Sequence, residues 1–159
     1  MNQHLSKSLL VLAGISLLVC TSQATRASLV NNVAVIVNTG STNTIGYRIY
    51  VSPSGAANYV DGKGYGQAQL PEKLTETFFD DLKVAQPLST LPVQLGCVKS
   101  VSFGTTTYLE LGAFESPDVS CPGSIKAQHI YNDVIVIAKA LNVKNVPNSQ
   151  GKPLPAQNF

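Results

Sequence analysis

Tryptophan is absent from this 159-residue sequence, methionine occurs once, histidine twice and cysteine three times. Charge is scarce as well. Only 13% of the residues are Asp, Glu, Lys or Arg, about half the ~25% usual for a globular domain. So low a charge density excludes a chain kept unfolded by self-repulsion. It also argues against a nucleic-acid-binding surface, which works by clustering cations on phosphates. Metal and catalytic signatures are missing too. There is no C-x-x-C, no H-E-x-x-H, no G-x-S-x-G elbow, and no Walker lysine following the glycines at 62, 64 and 66. No metal and no cofactor is therefore expected. The length suits one domain, with no room for a second large one.

Long apolar runs are limited to one place. Leu9 to Val19 reads LLVLAGISLLV, preceded by Lys7. As a helix it would reach only ~16 Å, short of a ~30 Å hydrocarbon core. It fits the apolar region of a secretory signal, and the small residues that follow predict cleavage after Ala24 or Ala27. Residues 1–24 are thus read as a signal peptide, and the protein as exported, periplasmic or extracellular. An alternative is lipidation of Cys20, whose preceding Leu17-Leu18-Val19 resembles a lipoprotein box except that Val19 is not small. Cleavage after Ala24 removes Lys7 and leaves ten basic against nine acidic residues. That near-neutral balance gives no electrostatic reason to sit on nucleic acid or on anionic lipid. No later stretch is long enough to span a membrane.

Export would place Cys97 and Cys121 in an oxidising compartment, where two remaining cysteines imply one bridge. In the chain-entropy picture such a bridge stabilises the fold by roughly 3 kcal/mol.

Along the chain, residues 25–44 read as a lead-in in which 33–38 is a strand or an extended segment. The α+β domain is read over 45–143. Ile45, Tyr47, Ile49 and Val51 alternate with polar residues, the period of a half-buried strand. Pro53-Ser54-Gly55 turns the chain, 56–60 returns as a hairpin partner, and 61–66 reads as a mobile Gly-rich loop. From Pro71 the period changes: Leu74, Phe78, Leu82 and Ala85 share one helical face, and Pro87 ends the helix near Gln86. Val98–Ser102 and Thr105–Leu111 read as strands around Phe103-Gly104. Ser124 is placed to cap a second helix with a stripe of Ala127, Ile130, Val134, Ile137, Ala138 and Leu141, although 134–137 is β-branched enough to be a strand. Residues 144–159 read as a disordered tail. The sum is a small antiparallel sheet with two helices on one face.

The block Cys97-x-Lys99-Ser100-x-Ser102-Phe103-Gly104, then Gly112, then Ser116-Pro117-Asp118-x-Ser120-Cys121-Pro122, resembles a family of small exported bacterial proteins, notably cyanobacterial, of unassigned function. The resemblance covers roughly residues 45–143. It implies export and brings no catalytic residues.

Candidate chemistry is thin. His129 and Asp133 are one helical turn apart and could pair. With a nearby serine (Ser100, Ser102 or Ser120) they would make a small hydrolase or a metal-assisted enzyme; the plain reading is an exposed helix flank. Lys99 and Ser100 suggest a Ser–Lys dyad, but neighbours on a strand face opposite ways. Glu76, Asp80 and Asp81 read as a solvated helix face. Tyr59 and Tyr65 are candidate contact residues, tyrosine being favoured at interfaces. The function these features favour is a non-enzymatic binding or structural module of the envelope or extracellular space, with an unidentified protein partner. A protease inhibitor presenting residues 61–68 is a further alternative.

Overall fold

The computed structural model describes residues 32–147. The expected signal segment with Cys20, Ala24 and Ala27, and the chain beyond Pro147, lie outside the described residues. Strand β1 (Ala34–Asn38) is followed by β2 (Thr44–Ile45), β3 (Tyr47–Val51), β4 (Ala56–Asp61) and β5 (Gly64–Gln69). Helix α1 (Glu72–Val84) and a 3-10 turn (Leu88–Thr90) come next, then β6 (Thr107–Leu111), β7 (Phe114–Glu115), helix α2 (Ile125–Ala140) and β8 (Val146–Pro147). The main sheet has six strands in the order β5-β4-β3-β1-β6-β7, and every pairing in it is antiparallel. The protein is α+β.

Of the two readings of 33–38, the strand holds: Ala34–Asn38 is β1, and it lies inside the sheet. β1 pairs with β3 on one side and β6 on the other, Ile36 standing opposite both Ile49 and Leu109. Alternation then fixes the faces. Ala34 and Ile36, Tyr47, Ile49 and Val51, Ala57, and Leu109 point into one core, which also takes Phe78, Leu82 and Ala85 from α1 and Ala127, Ile130, Val134 and Ile137 from α2. Both helices therefore cover the same face. Truncating a fully buried side chain such as Phe78 to alanine would cost about 3–5 kcal/mol. Asn38 is the polar residue of this inward row, and it is satisfied. Its amide donates to Thr105 Oγ1 and Thr107 Oγ1, both at 3.0 Å, and its carbonyl oxygen accepts from the Gly40 amide at 3.0 Å.

Both helices form where the apolar stripes fall. Ser124 caps α2, its hydroxyl accepting from the Ala127 amide at 3.3 Å. The β-branched stretch 134–137 stays helical because Val134 and Ile137 fall on the stripe, and Ile135 and Val136 face out.

Four expectations need correcting. The alternating segment from Ile45 is not one strand. It breaks at Gly46, where the backbone passes so close to Asn38 and Gly40 that no Cβ would fit; Ile45 belongs to β2, which pairs with β8. The tail is thus not featureless from residue 144, since Val146–Pro147 is that partner. Residues 61–66 are not a mobile loop: Asp61 pairs with Gly64 across a tight hairpin, and 64–69 is edge strand β5. Val98–Ser102 is not a strand either. One edge of β6 is taken by β1. The other is taken by β7 and by the amides of Ser116 and Val119, which donate to the Leu109 and Thr107 carbonyls at 2.9 and 2.8 Å. No edge of β6 is left for 98–102 to join.

Among the described residues, no helix is long and apolar enough to cross a membrane.

Candidate binding surface on the disulfide-pinned loop

Cys97 and Cys121 are joined, with Cα atoms 6.0 Å apart. The bridge ties loop 91–106 to the chain that enters α2. Backbone bonds repeat the tie: the Gln94 amide donates to the Cys121 carbonyl and the Gly123 amide to the Pro92 carbonyl, each at 2.8 Å. At the far end, Ser41 Oγ donates to the Ser102 carbonyl at 2.7 Å. Gly104 lets the chain fold back, its amide donating to the Ser100 carbonyl at 2.6 Å with no room there for a Cβ.

Lys99 is the inner anchor. Its ammonium donates to the Asp118 carboxylate, to Ser120 Oγ at 2.6 Å and to the Thr105 carbonyl at 2.5 Å. Asp118 in turn accepts from Ser120 Oγ at 2.6 Å and from the Thr107 and Ser120 amides at 3.0 and 3.1 Å. Burial alone would raise the Asp118 carboxyl. The hydrogen bonds from Lys99, Ser120 and Thr107 outweigh it and hold the group below its ordinary value. The Lys99 partner is therefore Ser120 with Asp118, and not Ser100, which is exposed. Three donated hydrogen bonds, one to a carboxylate, let this lysine hold the loop down.

What the anchors hold up is apolar. Leu95 is 97% exposed, Val98 93%, Val101 85% and Phe103 67%. A lone exposed leucine means little, but four large apolar groups exposed within nine residues of one loop are a concentration that calls for a reason. The segment 91–106 contains no acidic residue, and its single charge, Lys99, is turned inward. From sequence, Val98–Ser102 of this segment reads as a strand. The signal against it is the spacing: Leu95, Val98 and Val101 recur every third residue, which is not the alternation of a strand.

The other candidates lie elsewhere. His129 and Asp133 do sit one turn apart on α2, but Asp81 of α1 comes between them chemically. His129 Nδ1 is 3.9 Å from Asp81 Oδ2. Asp133 is buried, and among the described residues its Oδ2 has no hydrogen-bond partner. Burial pushes its carboxyl up to about 6, and the charge of Asp81 and a hydrogen bond with it push the same way against His129. Among the described residues, no hydrogen bond joins His129 to Ser100, Ser102 or Ser120, and no group of three His, Cys, Asp or Glu could hold a metal. Glu76 and Asp80 are exposed on α1, as a solvated face would be.

Tyr59 packs against the core, directly beneath Gly66, where any Cβ would strike the ring. That close approach explains a glycine in β5. Tyr65 is exposed on the opposite face of the same edge strand.

Compared with family models, curated proteins and solved structures, the chain matches none of them.

Proposed function

We propose that this is an exported, non-enzymatic binding module, and that loop 93–103 is its contact surface. The observation that carries the reading is the exposure of Leu95, Val98, Val101 and Phe103 on a loop fixed by a disulfide and by Lys99. A loop already held in place loses little freedom on binding, so its buried apolar area converts efficiently into affinity. The partner this surface fits is a protein of the envelope or extracellular space with an apolar cleft and no demand for ion pairs. The resemblance of residues 97–122 to small exported bacterial proteins supports the same assignment, as does the apolar run at 9–19. The His129–Asp81–Asp133 cluster is a helix-to-helix contact in this reading.

The test compares the native protein with a Leu95→Asp, Phe103→Asp variant expressed in the parent cells. The reading predicts that the native chain co-fractionates in a defined complex. The variant keeps the same melting temperature but is recovered free. Equal recovery of both in the complex overturns it.

A further inference from the structure

Away from the loop, a groove of ≈ 620 Å³ opens between the C-terminal half of α1 and the β6–β7 hairpin. That volume falls within the ~300–1,000 Å³ typical of small-molecule sites. Its walls are apolar: Phe79 and Leu82 from α1, Leu111 and Phe114 from the hairpin. Its polar groups are few, chiefly Lys83 and Gln86. Among the described residues, Lys83 is the one charged residue of the lining, which holds no carboxylate. Among the described residues the Lys83 ammonium forms no ion pair or hydrogen bond, unlike Lys99, which is fully engaged. Phe114, at the mouth, is exposed although its ring is large.

We infer that this groove binds a small amphiphile with a hydrocarbon body and a carboxylate head, the body lying against Phe79, Leu111 and Phe114 and the head on Lys83. Each part answers a feature of the site. The aromatic and leucine walls offer no hydrogen bonds along the body, so the body must be hydrocarbon. The single charged residue among the described lining, a lysine in the last turn of α1, fixes the sign of the head, and Gln86, one turn on, can donate to its second oxygen. The inference is independent of the loop 93–103 reading, because it uses a different part of the surface.

Titration calorimetry on the full exported chain with its disulfide intact tests it. The probes are octanoate, decanoate and dodecanoate, with decanol as the uncharged counterpart, at pH 8. Affinity should rise about fourfold for each added CH₂, and decanoate should bind at least tenfold more tightly than decanol. Lys83→Gln should remove the difference between decanoate and decanol. Phe114→Ala should weaken both about tenfold, with the melting temperature of each variant unchanged. Lys139→Gln, an exposed lysine in the last turn of α2, serves as the charge control and should bind as the native protein does. Equal binding of decanoate and decanol by the native chain overturns the inference. So does a preference that survives in Lys83→Gln, or a Phe114→Ala variant with native affinity.

Discussion

Lys99 and Asp118 form an ion pair across the two limbs of the disulfide-closed segment, and each is satisfied by further hydrogen bonds. A half-buried pair of this kind is a fastener: removing one member strands the other away from full solvent. Lys99→Met alone should cost about 1–3 kcal/mol, the lower part of the range for lost charged hydrogen bonds because both groups retain some exposure. Urea unfolding of Lys99→Met, Asp118→Asn and the double variant checks this. The double variant should be less destabilised than the sum of the two singles by about 1 kcal/mol or more.

Reduction of Cys97–Cys121 releases the same segment from the other side. The bridge spans a sequence separation of 24, for which loop closure is worth roughly 3 kcal/mol in the entropy model. Unfolding with and without reductant should differ by about that amount. Hydrogen exchange should accelerate first at the Gln94 amide, which the Cys121 carbonyl now accepts.

The Asp133 carboxyl gives the fold a pH signature. Its folded value is raised to about 6 from an ordinary 3.8. Between those values the folded state holds more protons than the unfolded one, so this group's contribution is full in acid. It falls as pH rises and is gone above about pH 6. The loss is on the order of 3 kcal/mol at most. Asp133→Asn should therefore be more stable than the native protein at pH 8 and lose that advantage at pH 4. Asp118, with its lowered value, acts in the opposite direction in both proteins, so the difference between the two pH profiles isolates Asp133.

Gly66 is fixed by Tyr59 rather than by turn geometry, since a Cβ there would enter the tyrosine ring. Gly66→Ala should cost about 1–3 kcal/mol from overpacking. In a Tyr59→Ala background the same substitution should cost close to nothing. Thermal melts of the four proteins decide it.

Much of this architecture was legible in residue periodicity. Phe78 and Leu82 on α1, Ile130, Val134 and Ile137 on α2, and Tyr47, Ile49 and Val51 on β3 all face the core, as their spacing requires. The centrality of β1 was not legible, because strand order follows from pairing across the chain and Val-Ala-Val-Ile-Val reads the same at an edge or in the middle. The break at Gly46 depends on how closely two backbones pass, which composition does not encode. The candidate surface was hidden for a related reason. Val98 and Val101 have strand propensity, but the edge they would join is already occupied, so they project into water. Partners met in space were also invisible: Asp81 beside Asp133 and Ser120 beside Lys99 are far apart in the chain.

The central claim is that the pinned apolar loop is the contact surface, and site-specific photo-crosslinking in the parent cells tests it most directly. A photoreactive residue would replace Leu95, Val98 or Val101 in turn, with Lys139 on the exposed flank of α2 as the comparison site. The account predicts adducts of one common mass from the three loop positions and none from position 139. Adducts from position 139 alone, or the same adducts from all four positions, would contradict it.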